Sequence, residues 1–317
     1  MTLKNTKIFS GRANPVLAER IIAQLNMPLG QALVTQFSDG ESRVEILENV
    51  RGMDVFVIQP TCPPNPAGNV MELLVMIDAL KRASAKRITA VIPYFGYSRQ
   101  DRPITFTRSP ITAKQVADML SAAGTDRIVT IDLHADQIQG FFDIPVDNIF
   151  ASSLFVEHIQ KQNYADLVIV APDVGGVVRA RALAKQLGNV NLTIIDKRRP
   201  KPNKLEVMNV IGDVHNKSCI IFDDIVDTAG TLCQAADALM KNGATQVAAY
   251  VSHAILSGNA LVHLRKSSIS SLVATNSIPL SHEAAGIEKI SQLCIAPILA
   301  EIISCIHKEN SISNLFT

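Results

Sequence analysis

Short apolar runs rich in Val and Ile recur along the chain, each closing on a polar cluster: 54–60 (DVFVIQP), 88–95 (ITAVIPYF), 128–134 (IVTIDLH), 167–173 (LVIVAPD), 192–196 (LTIID), 219–224 (CIIFDD), 247–253 (VAAYVSH) and 272–277 (LVATNS). Runs of this length without alternation predict strands covered on both faces, as in a parallel sheet. Helical spacing fills the stretches between them. Over 231–243, Leu232, Ala235, Ala236, Leu239 and Met240 fall at i, i+3, i+4, i+7 and i+8, and Asn242-Gly243 supplies the stop. A similar face over 71–83 ends in Lys81 and Arg82, where cations favour the helix dipole. Strand alternating with helix predicts an α/β fold. The pattern is doubled, because 54–150 and 167–290 each hold strand–helix–strand units, and it restarts at 145–165. The predicted strand tips carry Asp132, His134, Asp173, Asp196, Asp223, Asp224 and His253. In open α/β sheets ligands bind beyond those carboxyl ends.

Length and charge narrow the picture. At roughly 150 residues per domain, 317 residues predict two domains, and 47% hydrophobic content suits a globular chain. A net charge of +1 provides no global field for nucleic acid or an anionic membrane, so any bound anion needs a local cluster. The longest apolar stretch, 293–306, falls short of the ~20 residues of a membrane span and is interrupted by Pro297 and Glu301. The N-terminus has no apolar signal core, and the five cysteines form no CxxC pair. They read as buried reduced thiols, hence a cytoplasmic protein with neither membrane nor nucleic-acid partner. No GxxxxGK[ST] or GxGxxG motif occurs.

The segment 219–231 (CIIFDDIVDTAGT) carries the most specific chemistry. A buried strand delivers Asp223 and Asp224, acceptors for a vicinal diol or a hydrated metal. Asp227, Thr228, Ala229, Gly230 and Thr231 then open a helix, where orphan N–H groups and the dipole favour a phosphate. This run resembles the phosphoribosyl-diphosphate (PRPP) binding motif shared by type I phosphoribosyltransferases and PRPP synthetases. The resemblance implies that the loop holds ribose 5-phosphate and that the paired acids face the ribose hydroxyls.

Further segments separate the two groups. In 196–204 (DKRRPKPNK), cations crowd around two prolines, which predicts a mobile segment that orders around a polyanion. It resembles the catalytic flexible loop of PRPP synthetases, implying catalytic roles for Lys197 and Arg199 on the transferring diphosphoryl group. In 37–41 (FSDGE), Phe37 offers a flat face for a base, and Asp39, Gly40 and Glu41 form a turn. In 93–102, Arg99, Gln100 and Asp101 follow a strand tip. Both segments, with Arg108, resemble the ATP-binding segments of the synthetases, whose FSDGE loop comes from a neighbouring subunit. The resemblance further assigns His134 and Asp173 to Mg²⁺. It matches Arg51, Gln139, Asp147, Ser311, Ser313 and Phe316 to a phosphate/ADP regulatory site. Arg179 and Arg181 stand two apart, so one faces a site and the other solvent.

The resemblance spans nearly the whole chain, from 8–11 (IFSG) to 311–316 (SISNLF). It implies a class I enzyme making PRPP and AMP from ATP and ribose 5-phosphate, with Mg²⁺ as cofactor. Two similar phosphoribosyltransferase-like domains, each a mainly parallel sheet flanked by helices, are expected at 1–150 and 151–317. The last segments are expected to cross back to the first domain, and the assembly to be a homo-oligomer, a hexamer. A phosphoribosyltransferase would need one such domain, and a silent regulatory relative would lack the KRR run. Two departures from the family pattern stand out: Ala229 replaces a more usual Gly, which matters only if φ is positive there, and 103–107 (PITFT) is less basic.

Overall fold

The computed structural model describes residues 3–198 and 207–312; Arg199, Ser313 and Phe316 lie outside the described residues, as does most of the basic segment 196–204. The chain divides into two compact units. One comprises Met1–Phe150, Ser277–Pro279 and Cys294–Thr317, the other Ala151–Asn276 and Leu280–Leu293.

The first unit opens with β1 (Thr6–Ser10), α1 (Pro15–Leu25) and a separate antiparallel hairpin, β2 (Ala32–Gln36) and β3 (Ser42–Ile46). There follow β4 (Asp54–Ile58), α2 (Pro66–Arg82), β5 (Arg87–Ile92), α3 (Thr112–Ala123), β6 (Arg127–Ile131) and β7 (Val146–Ile149). The main sheet runs β1-β4-β5-β6-β7, all parallel. Val55 and Val57 pack with Leu73, Met76, Ile77 and Leu80 of α2 and with Val116 and Leu120 of α3. Phe56 and Ile58, on the opposite face by strand alternation, are equally buried, which is why the run lacks polar positions. Each such side chain contributes roughly 1.5–3 kcal/mol. Helix α2 begins five residues earlier than its apolar face suggests, because Pro66 suits the first turn and the Asn65 side chain accepts from the Gly68 N–H at 3.1 Å. A Cβ at Gly68 would collide with that cap.

The second unit holds α4 (Ser152–Lys161), β8 (Val168–Ala171), α5 (Val177–Gln186), β9 (Asn191–Arg198), β10 (Val207–Ile211), β11 (Ser218–Val226) and α6 (Gly230–Lys241). It continues with β12 (Gln246–Ala254), α7 (Ala260–Lys266), β13 (Ser271–Thr275), α8 (His282–Ala285) and β14 (Ile290–Leu293). The strand order is β10-β9-β8-β11-β12-β13-β14, with β10 alone antiparallel. Leu232, Ala235, Ala236 and Leu239 of α6 form one core with Cys219 and Ile221 of β11, as the 231–243 spacing predicts. Elsewhere in this unit Phe155 meets Phe222 and Tyr250 edge-on, at centroid distances of 5.7 and 5.8 Å.

Helix α9 (Ala296–His307) belongs to the first unit and packs on α1. Its end is tied to the amino ends of β1, β4 and β5. Arg87 donates from Nε to Asp54 Oδ1 at 2.8 Å and from Nη2 to Oδ2 at 2.5 Å, and Nη2 also meets the Ile306 carbonyl at 3.1 Å. His307 Nδ1 lies 3.0 Å from Asp54 Oδ2 and 2.8 Å from Thr6 Oγ1. The Asp54 carboxylate raises the Arg87 pKa above its ordinary value by hydrogen bonding. All five cysteines are free thiols; Cys62, Cys219 and Cys233 are buried, but Cys294 and Cys305 only half-buried.

Candidate functional site

Strand order in the second unit locates a crevice. From β8 the chain moves to β9 on one side and then returns to β11 on the other, so connections at the carboxyl ends of β8 and β11 diverge. A hollow of about 230 Å³ lies there, lined by Pro172 and Asp173 after β8, by Asp223 on β11 and by the backbone run into α6. A larger hollow of about 500 Å³ in the first unit, lined by Lys4, Asp54, Lys86 and Arg87 among others, lies at the amino ends of the strands, the end away from which ligands usually bind. The smaller hollow is therefore the candidate site.

Asp227–Thr231 form its loop, and Gly230 begins α6. The loop is braced from behind: the Ser257 hydroxyl donates to the Asp227 carboxylate, the Ser257 N–H to the Asp227 carbonyl at 3.1 Å, and His263 Nδ1–H to the Thr228 carbonyl at 2.9 Å. Neither Ser257 nor His263 is visible as a partner in the sequence, since both sit about 30 residues away on the β12–α7 connection and α7. The loop held in this way leads directly into the first turn of α6, and a helix N-terminus is the end that favours an oxyanion.

Ala229 adopts φ 59°, ψ 0° and is 4% exposed. The left-handed region costs a non-glycine residue about 1–2 kcal/mol, against ~0.8 kcal/mol for burying its methyl. Replacing Ala229 with Gly should therefore stabilise the protein by about 0.2–1.2 kcal/mol. A thermal melt showing a lower midpoint for that variant would refute the strain argument.

The two acids differ. Asp224 is 3% exposed and accepts from Arg179 Nη1 at 2.7 Å; half-buried Asp223 stands 3.5 Å from the same nitrogen and accepts from the Asp224 N–H at 2.9 Å. Burial, with the charge of Asp224, pushes the Asp223 carboxyl well above the ordinary range, and Arg179 opposes that shift. Asp173 is exposed, with Oδ1 accepting from the Gly176 N–H at 2.9 Å. Side-chain Cβ atoms at Gly175 would crowd that oxygen at 3.2 Å.

In the first unit, Phe37, Asp39, Gly40 and Glu41 form the tip of the β2–β3 hairpin. The Phe37 N–H donates to the Glu41 carbonyl at 2.8 Å, Asp39 Oδ1 accepts from the Glu41 N–H at 3.0 Å, and Gly40 takes φ 95°. Phe37 is 50% exposed, with the Arg43 guanidinium 5.7 Å from its ring centroid. Arg43 is a neighbour that the hairpin creates and the FSDGE motif does not contain. Tyr94 and Phe95 are core, whereas Arg99 and Gln100 are exposed. Gln100 anchors the start of α3, its Oε1 accepting from Thr112 at 2.5 Å, and Asp101 Oδ2 accepts from Gln137 at 3.0 Å. The 99–101 segment thus meets the turn after β6, whose tip presents exposed His134. Arg108 is exposed.

The remaining expected positions are dispersed among different roles. Asp147 is buried and bound to Arg127 at 2.6 Å; the Arg51 N–H donates to Asn49 at 3.0 Å; Gln139 donates to the Asp136 carbonyl at 3.1 Å; Ser311 is exposed. Lys197 is described by its backbone, paired with Met208 across β9 and β10.

Comparison with known proteins agrees along the full length. A profile for the N-terminal domain of ribose phosphate pyrophosphokinase matches residues 6–124, and one for the phosphoribosyl synthetase-associated domain matches 189–317. The ribose-phosphate pyrophosphokinase of Ralstonia nicotianae is 58% identical over 316 residues, covering 100% of this chain and 99% of the relative. That of Burkholderia pseudomallei is 59% identical over 309 residues, covering 98% and 96%. The crystal structure of phosphoribosylpyrophosphate synthetase from Mycobacterium smegmatis superposes with a TM-score of 0.91 at 40% identity, covering 97% of this chain and 100% of that one.

Proposed function

The chain belongs to the ribose-phosphate pyrophosphokinase family, and from that premise we propose how its residues divide the work. The reaction transfers the diphosphoryl group of ATP to the anomeric hydroxyl of ribose 5-phosphate, giving PRPP and AMP for nucleotide biosynthesis. The sugar sits in the hollow at the β8/β11 divergence, and that hollow is the observation that carries the reading. Its 5-phosphate takes the amides and hydroxyls of Asp227, Thr228, Ala229, Gly230 and Thr231, while Asp223 accepts from the ribose hydroxyls and Asp224, buried beside it, completes the acid pair. Residues 1–150 form the ATP-side domain and 151–317 the sugar-side domain, with 294–317 returning to the first. Phe37 stacks on adenine, Asp39, Gly40 and Glu41 surround it, and Arg99, Gln100, Asp101 and Arg108 meet the nucleotide. The exposure of Phe37 suits a hairpin that serves a neighbouring subunit, hence a homo-oligomer, a hexamer.

Lys197 and Arg199 act on the transferring group, holding the charge that develops as the β-phosphorus passes between oxygens. The donor set fits Mg²⁺ on the sugar side: Asp173 is an exposed carboxylate lining the same hollow as Asp223, and this cation asks for one or two carboxylates, completing its shell with water and substrate phosphate. His134, a nitrogen donor, is the softer half of the expected set. When bound, Mg²⁺ would neutralise phosphate charge and let the two anions approach. Free thiols suit a cytoplasmic setting, and no helix among the described residues is long and apolar enough to cross a membrane. Arg51, Gln139, Asp147, Ser311, Ser313 and Phe316 are proposed to serve regulation by phosphate and ADP.

AMP measured from Mg-ATP with and without ribose 5-phosphate tests the reaction. AMP is expected only with the sugar present, in equimolar yield with PRPP. AMP release that ignores the sugar would overturn the assignment.

A further inference from the structure

Arg179 and Arg181 of α5 resolve as the two-residue spacing requires: Arg181 is exposed, and Arg179 turns to the tip of β11. There Arg179 Nη1 spans both acids, 2.7 Å from Asp224 Oδ1 and 3.5 Å from Asp223 Oδ1. Asp224 is nearly covered, and its N–H fixes the Asp223 carboxylate in turn. Asp223 lines the hollow; Arg179 and Asp224 are not among the residues that do. The guanidinium thus binds the buried carboxylate most closely, and the half-buried carboxylate stands at the hollow.

Two adjacent carboxylates repel one another in a partly desolvated site, and each would relieve the repulsion by rotating toward water or by holding a proton. A guanidinium that reaches both opposes each escape, and its planar, charged head holds a fixed direction that a lysine ammonium does not. We propose that Arg179 is a positioning residue for ribose 5-phosphate: acting through Asp224, it presets Asp223 as acceptor for the sugar's vicinal hydroxyls without touching the sugar. The inference rests on the hollow being the sugar site.

The test uses the full-length enzyme with R179Q, R179K, D224N and the R179Q/D224N pair. Each is measured for KM of both substrates and kcat in the AMP assay, and for ribose 5-phosphate binding by calorimetry. R179Q is expected to raise the KM for ribose 5-phosphate about 10–100-fold, by analogy with the cost of losing the group that orients a metal-binding side chain, and to leave the KM for ATP unchanged. R179K should fall between R179Q and the parent. The double variant should bind the sugar no more weakly than D224N, because Arg179 acts through that carboxylate. Parental sugar affinity in R179Q, alongside a loss in D224N, would overturn the proposal. So would multiplying effects in the double variant, which would mean that Arg179 acts by a route other than Asp224. Unchanged affinity in D224N would break the route through Asp224 and overturn the proposal, while leaving the hollow as the sugar site untouched. If circular dichroism shows R179Q unfolded, R179K decides: a raised sugar KM supports the proposal and a parental value defeats it.

Discussion

Replacing Lys197 with Ala is expected to lower kcat by about 10³–10⁵, on the order of 4–7 kcal/mol of transition-state stabilisation. The reason is electrostatic. Phosphoryl transfer asks little covalent chemistry of a protein, so most of the acceleration comes from fixed positive charge where negative charge spreads over the equatorial oxygens. Lys197 stands on β9, in the same sheet as β11, which leads into the 227–231 loop, and its Cα pairs with Met208. Alanine at that position leaves the strand's backbone pairing possible, so binding of ribose 5-phosphate should survive while single-turnover AMP formation collapses. A variant that turns over at the parental rate would take the 196–204 segment out of the mechanism.

Asp54→Ala is expected to destabilise the first unit by about 3 kcal/mol. Removing one member of a buried ion pair typically costs roughly 3–5 kcal/mol, because the other is left uncompensated; the lower end applies here because the side chain of Arg87 keeps 27% exposure. Three donors converge on Asp54: two from Arg87 and Nδ1 of His307. Loss of that centre frees the end of α9 as well as β4. Amide hydrogen exchange should show faster exchange in α9 and in β1, with β11 to β13 of the second unit unchanged. Parental protection in α9 would mean that its apolar face alone holds it.

Each unbroken apolar run of the sequence is a strand, because parallel strands covered on both faces leave a signal of unbroken hydrophobicity. The strands that escaped were those without that signal. In β3, Ser42, Arg43, Val44, Glu45 and Ile46 alternate between exposed and half-buried, a period of two that a search for continuous runs passes over. Short β14 offers Ile-Ser-Gln-Leu, and β10 is an antiparallel edge. Helix α9 shows in the sequence only as the greasy stretch 293–306. The phosphate loop and acid pair were legible because one strand–loop–helix segment holds them all. The Arg179 contact was not, since 45 residues and two elements separate it from Asp224. Helical parity could say that one of two arginines faces inward, but not which. Likewise, the sequence shows an Ala at 229, whereas its positive φ is a property of the packed turn.

The placement of α9 bears on how this protein is made. Leu17, Ile21 and Leu25 of α1 are buried in the finished first unit, and α9 packs on that helix. On a ribosome adding about 5–20 residues per second, the α9 stretch emerges on the order of ten seconds after residue 150. In that interval the second unit can finish, while the older part of the chain waits with its greasy helix uncovered. The nascent N-terminal half is thus the stage at which chaperones would engage, and the stage most open to aggregation.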